Sequence, residues 1–391
     1  MPKVLIVGGD ADANLGDRAI VLALCQCIAR HRPDLSVSII SGRRNWPGLP
    51  SNVRLIGRRA MRMPEALQAA RHDLVLVGGG GLFQDDDSRV KMPYWAARIA
   101  MLQAANANIA GHAIGAGPLR HPESRRFARL ACRALKAISV RDGFAQRWLR
   151  ESTGRTPPVV PDPAFMLNEA PAATARAYLR SLGLPHGPVI GVALRRWFHR
   201  RGGFLPHRVR AALRLDRGEG RADMDRLLGD LAGALNALAR SLRASVLFMP
   251  SYNADHEGDF RECRRLRELL APDVVARIAA IDDPALYKAV AGQLSLMFSA
   301  RMHPLILATS MGVPGVGLAY NGKFEGLFSL LGVPGGMVWL DDLRRGGRAG
   351  DLIRLATDAL NACIDRKHRA GELAEQARVA TTRLLADLVP A

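Results

Sequence analysis

Short apolar runs alternate with longer segments of helical period along almost the whole chain, and this alternation limits the fold more than any other feature. "KVLIVGG", "LSVSII", "NVRLI", "DLVLVGGGG", "ANIAGHAIGAGPL" and "AISVRD" each hold a run with the length and apolar content of a strand. Between most of them lie helix patterns, such as Ile20, Leu24, Cys27 and Ile28 after the first run. Such alternation argues for parallel sheets covered by helices. A Pro-rich passage, "TPPVVPDPAFML", closes the first series, and a helix in "AATARAYLRSLGL" leads into a second: "PVIGVALR", "SVLFMP", "VVARIAAI", "LSLMFSA" and "PGVGLAY".

The expected fold is therefore α/β, with two Rossmann-like doubly wound parallel-sheet domains facing a cleft at the carboxyl ends of both sheets. A length of 391 residues suits two domains of ordinary size. Their expected limits are 1–172 and 173–348, followed by a helical tail, 349–391, with an apolar stripe of Leu373, Ala377, Ala380, Leu384 and Leu388. One segment, 197–222, breaks the pattern: it is too long for an ordinary connection and carries Arg200, Arg201, Arg208, Arg210, Arg214, Arg217 and Arg221. It reads either as a solvated insertion or as a flap or anionic-surface contact beside the cleft.

The 55 Lys and Arg against 36 Asp and Glu give a net charge of +19. Nucleic acid is not the expected partner, because no nucleic-acid motif is present and aromatics, at 5%, do not interleave with the cations. An anionic substrate, an anionic membrane surface or an arginine-rich coding bias accounts for the charge. Five scattered cysteines suggest neither a disulfide framework nor a zinc site. The chain enters a strand at once and has no apolar run of membrane-spanning length. A cytoplasmic protein is expected, with peripheral contact at the inner face of the cytoplasmic membrane compatible with the charge. The oligomeric state is left open.

The chemistry-bearing residues follow strands. "SARMHPLILATSMG" puts Arg301 and His303 in a strand-to-helix turn with Pro304 in the first helical turn. "GVALRRW" puts Arg195 at another strand end, and two arginines converging on a cleft suit a ligand bearing carboxylate and phosphate. In the first half, "GGDADANLGDRAI" offers Asn14, Gly16 and Asp17 at a helix start, without the dinucleotide glycine spacing. "VLVGGGGLFQDDDS" has four glycines, Gly78 to Gly81, that suggest close approach of a ligand to the backbone. Of Asp85, Asp86 and Asp87, one is expected to take a proton from a sugar hydroxyl rather than to bind a metal.

Taken in order, "NLGDRAI", "GGGGLFQDDDS…YW", "GAGPL", "ISVRD", "PDPAF", "VALRRW", "SARMHPLILA" and "VGLAYNGKFEGL" resemble the polysaccharide pyruvyl transferase family over nearly all of the chain. The resemblance implies a GT-B-like architecture with the site in the interdomain cleft. It also implies transfer of pyruvate from phosphoenolpyruvate onto two hydroxyls of a sugar, giving a ketal and phosphate with no further cofactor and no metal. The acceptor would be a cell-surface polysaccharide or its lipid-linked precursor. It assigns Arg195, Arg301, Met302 and His303 to phosphoenolpyruvate, with His303 as the acid. Asn14, Gly16, Asp17, Gly79, Gly80, Gln84, Ser88, Tyr320 and Lys323 go to the acceptor or cleft, and Asp85 is the expected base. The family's first motif commonly continues Gly-Asp-Glu, whereas Arg18 follows Asp17 here. Two other readings stand beside this one: a GT-B glycosyltransferase using a nucleotide sugar, and a non-catalytic polysaccharide-assembly partner.

Overall fold

The computed structural model describes residues 1–57, 65–86, 88–198, 207–213, 215, 220–362 and 364–389. The first sheet contains β1 (Lys3–Val7), β2 (Ser36–Ser41), β3 (Val53–Gly57), β4 (Leu74–Gly78), β5 (Gly81–Phe83), β6 (Ile109–Ala116) and β7 (Ala137–Val140). Its order is β3-β2-β1-β4-β6-β5, with β7 also paired to β6. The second sheet contains β8 (Val189–Ala193), β9 (Ser245–Phe248), β10 (Ala276–Ile278), β11 (Leu296–Ser299), β12 (Gly315–Ala319) and β13 (Met337–Trp339), in the order β10-β9-β8-β11-β12-β13. Every strand pair is parallel. β4, β8 and β12 are buried at every residue because helices cover both faces, which explains their unbroken apolar runs. Short β5 was not foreseen: it adds three residues directly after the positive-φ turn at Gly79 and Gly80.

In each sheet the strand order reverses once at its centre, between β1 and β4 and between β8 and β11. Loops leaving adjacent strands there diverge to opposite faces and open a crevice, the usual ligand position in such sheets. The "GGDADAN", "GGGGLFQ", "LRRW" and "SARMH" segments leave these four strands.

Helix Leu15–His31 is buried over most of its length and belongs to an apolar cluster shared by the two halves of the chain, with Val4 and Leu76 on one side and Tyr287, Met297 and Leu305 on the other. The last helix, Arg366–Leu388, returns to the first sheet. There, His112 Nε2 lies 2.9 Å from Thr381 Oγ1, and Asn108 Nδ2 donates to Leu388 O at 2.9 Å. Its buried face is Ala370, Leu373, Ala377, Thr381 and Leu385, while Ala380, Leu384 and Leu388 of the expected stripe are half-buried. The helix is rotated because Thr381 turns inward to His112. Among the described residues no helix is long and apolar enough to cross a membrane. Half of the arginine-rich stretch, residues 199–206, 214 and 216–219, lies outside the described residues, as do Asp87 and Cys363.

Candidate active site

A cavity of about 640 Å³ lies between the sheets and takes its walls from both halves of the chain. Asn14, Asp17, Gln84, Arg195, Arg301, Met302, His303, Tyr320 and Lys323, all expected at the site, line it. Two further contacts tie the walls together: Tyr252 Oη donates to Asp10 Oδ2 at 2.6 Å, and Leu15 N donates to Ser251 O at 3.0 Å.

His303 is the second residue of helix Met302–Thr309, for which Arg301 is the N-cap in extended backbone. The turn is held by Ser299, whose Oγ accepts from Arg301 N at 3.0 Å and donates to Arg301 O at 2.5 Å. The imidazole is buried against the first turn of helix Leu15–His31. A Cβ built on Gly16 would fall 2.1 Å from His303 Nδ1, so Gly16 is required by the ring beside it. On its other side His303 Nε2 lies 3.6 Å from Asp162 Oδ2, has no hydrogen-bond partner and is shielded from solvent. Asp162 also accepts from Arg141 Nη1 at 3.2 Å and from Ala164 N at 3.0 Å. Burial pushes the Asp162 carboxyl up, but His303, Arg141 and the Ala164 amide outweigh it and hold the carboxyl at about 2. Thus the carboxylate facing the imidazole is ionised across the physiological range.

The arginines are more constrained than an open dianion site would suggest. Arg301 Nε donates to both oxygens of Asp259 at 3.1 Å, while Nη2 bonds Asp259 Oδ1 and also Glu257 Oε2 at 2.9 Å; Nη1 makes none of these bonds. Burial works against the Arg301 charge, but Asp259 and Glu257 more than offset it, so the guanidinium stays charged. A buried arginine at a strand end needs carboxylate partners of its own. The pairing fixes its plane on the cavity wall. Arg195 lies over the Tyr320 ring at 4.6 Å and the Trp197 ring at 5.2 Å, with Nη2 3.4 Å from Glu257 Oε2. Lys323 Nζ sits 3.3 Å from both Tyr320 Oη and Gln84 Oε1. Burial pushes the Tyr320 phenol up, but Lys323 and Arg195 outweigh it and bring it down to about 8.

Several acceptor-side expectations need correction. Gly79 and Gly80 have φ of 69° and 78°, and a Cβ would meet Ile20 Cγ2 at 2.2 Å on the first and Asp17 Oδ1 at 2.7 Å on the second. The glycine run is thus required by packing against helix Leu15–His31; of its members, Gly81 lines the cavity. Ser88 is buried and its Oγ accepts from Val90 N at 3.1 Å, a local turn behind the wall. Asp85 is not placed as a base. Its Oδ1 accepts from Arg120 N at 3.1 Å and its Oδ2 from His121 N at 2.9 Å, so both oxygens hold a distant turn. The next carboxylate, Asp86, faces the cavity instead. Asn14 caps its helix through Gly16 N at 2.9 Å, and Asp17 Oδ2 accepts from Asp10 N at 2.9 Å. Arg18 points away from the cavity. Its guanidinium donates to Ala11 O at 2.9 Å, Asp282 O at 2.6 Å and Asp282 Oδ1 at 2.8 Å, clamping the two halves behind the site.

Arg141, Asp162, Tyr252 and Glu257 line or adjoin the cavity without having been singled out in the sequence. "ISVRD" and "PDPAF" carried the signal for the first two, each placing an ionisable residue after a strand or between prolines. Among the described residues, no three His, Cys, Asp or Glu side chains are grouped so as to hold a metal ion.

Two doubly wound domains with a polar, doubly walled cleft define a GT-B-like protein, and the solved structures that resemble this chain agree. UDP-GlcNAc 2-epimerase from Methanocaldococcus jannaschii, in complex with UDP-GlcNAc and UDP, superposes with a TM-score of 0.60 at 13% identity, covering 99% of this chain and 100% of that one. HepE from Anabaena, in complex with UDP-glucose, does so with a TM-score of 0.54 at 12% identity, covering 99% and 98%. These likenesses concern the fold alone. No curated protein matches the chain by sequence. The model of the polysaccharide pyruvyl transferase family matches residues 14–322, and the chain belongs to that family.

Proposed function

We propose that this protein transfers pyruvate from phosphoenolpyruvate to a sugar diol of a cell-surface polysaccharide or its lipid-linked precursor, forming a ketal and releasing phosphate. Family membership supports the reaction class. The observation that carries the reading is His303: its Nε2 is buried without a hydrogen bond, 3.6 Å from ionised Asp162, in the cavity that also holds Arg195, Arg301 and Lys323. In this reading protonated His303 delivers a proton to C3 of the enol. C2 then gains oxocarbenium character and is attacked by the first hydroxyl; phosphate leaves and the second hydroxyl closes the ketal. Of the two hydroxyl protons, one replaces the proton given to the new methyl group and one ends on phosphate. Arg195, Arg301 Nη1 and Lys323 hold the carboxylate and phosphate and stabilise the leaving anion. Phosphoenolpyruvate is the co-substrate and no further cofactor is required. The net charge of +19 supports work beside an anionic cytoplasmic membrane face on a lipid-linked acceptor.

The test is phosphate release from phosphoenolpyruvate across a panel of free and lipid-linked cell-envelope saccharides, with His303→Asn beside the parent. Expected is acceptor-dependent release that falls by ~10²–10⁴-fold in the variant. Release of nucleotide from a sugar nucleotide, with none of phosphate, would favour the glycosyltransferase reading.

A further inference from the structure

Attack by a sugar hydroxyl on C2 requires a group to take its proton. We infer that Asp86 is this general base, an assignment that rests on the pyruvyl-transfer reading above. Of the three consecutive aspartates, Asp85 spends both oxygens on the amides of Arg120 and His121, and Asp87 lies outside the described residues. Asp86 lines the cavity. Its Oδ2 accepts from Asn321 Nδ2 at 2.8 Å, a bond that spans 235 residues of sequence and joins the glycine-rich loop to the loop after β12. Its Oδ1 is shielded from bulk solvent and has no hydrogen-bond partner.

A carboxylate oxygen held away from water without a donor is costly. A bound hydroxyl is the donor that removes this cost. Asn321 holds Oδ2, which leaves Oδ1 as the oxygen lacking a donor, and Tyr320 and Lys323, close by in sequence, line the same cavity. The bond to Asn321 sets the carboxylate beside Tyr320, and its charge reaches that phenol. The predicted acceptor is therefore a neutral diol, one hydroxyl donating to Asp86 Oδ1 and neighbouring oxygens accepting from Lys323 and Tyr320.

The step balances. As the O–C2 bond forms, the O–H bond breaks and its proton moves to Asp86, while His303 supplies the proton added at C3. Through solvent, the two hydroxyl protons end on His303 and on phosphate, so both groups return to their starting states. Asn321 acts as a positioning residue.

The experiment measures phosphate release with saturating acceptor, and phosphoenolpyruvate binding by calorimetry, for the parent, Asp86→Asn, Asp86→Ala and Asn321→Ala. Expected is a fall in kcat of ~10²–10⁴-fold in both Asp86 variants with phosphoenolpyruvate affinity within about 2-fold, and partial recovery of Asp86→Ala by added formate. Asn321→Ala, which keeps the carboxylate but not its orientation, is expected to lose about 10-fold in kcat with little change in KM for phosphoenolpyruvate. An active parent whose Asp86 variants stay within about 3-fold of it, or lose phosphoenolpyruvate affinity in proportion to rate, overturns the assignment alone. A parent inert toward phosphoenolpyruvate with every acceptor overturns the pyruvyl-transfer reading, and this assignment with it.

Discussion

Replacing Gly16 by alanine tests whether the imidazole works where the structure seats it. Gly16 is the second residue of helix Leu15–His31, a position where alanine is locally favoured over glycine by about 1 kcal/mol. The added methyl, however, would lie 2.1 Å from His303 Nδ1, 2.3 Å from Cγ and 2.5 Å from Cβ. Ordinary contact is near 3.5 Å, so the two groups must part by roughly 1.4 Å. Because His303 Cβ is itself in the clash, a change of rotamer cannot relieve it; the Arg301–His303 backbone or the first turn of the other helix must shift. Overpacking of this kind costs about 1–3 kcal/mol, partly offset by the helix preference, so the melting temperature should fall by only a few degrees. A displacement of about 1 Å at a catalytic group costs on the order of 10²-fold in rate. Gly16→Ala should therefore release phosphate at least ~10²-fold more slowly while remaining folded, read by a coupled phosphate assay beside a thermal melt. Parental rate with an unchanged melt would show that the imidazole does not act from this seat.

Arg301→Ala is expected to test folding more than chemistry, because it removes the guanidinium paired with buried Asp259, while Glu257 keeps Arg195; a denaturant melt should show a loss of about 3–5 kcal/mol, and parental stability would contradict the ion-pair network. His112 is pushed by burial down to about 4 and stays neutral in the fold, whereas its unfolded counterpart binds a proton near 6.5. The unfolded state holds more protons in that window, so this contribution is full above pH ~6.5 and is lost by roughly 3 kcal/mol as pH falls toward 4. The stability gap between the parent and His112→Gln should narrow over the same range in pH-dependent denaturant melts, and a constant gap would refute it. The Tyr320 phenol, brought down to about 8, should appear as a tyrosine ionising well below the others in an ultraviolet difference titration and vanish in Tyr320→Phe.

The alternation of strands and helices was legible because parallel strands covered on both faces must be apolar throughout, and loops leaving a central strand reversal must meet at a cleft. The five-residue run "SARMH" could be placed for the same reason. Side-chain direction was less accessible. Asp85 and Asp86 are adjacent and chemically identical, and only the arrival of the Arg120–His121 amides, some 35 residues on, makes one structural and leaves the other facing the cavity. Asp162 stands in a Pro-rich connector; its role depends on Arg141 and His303, which sequence distance conceals. The glycine run looked like a ligand floor because a missing Cβ is the same signal whether a substrate or Ile20 needs the space.

Helix Arg366–Leu388 carries a consequence for biosynthesis. It docks on the first sheet through Thr381 and Leu388, although nearly the whole second half of the chain is made in between. A ribosome translating this message completes the amino-terminal sheet long before it supplies the piece that covers it. Until that piece emerges, His112 lacks Thr381 and Asn108 lacks Leu388, so a fragment cut between the two sheets would leave this docking surface bare.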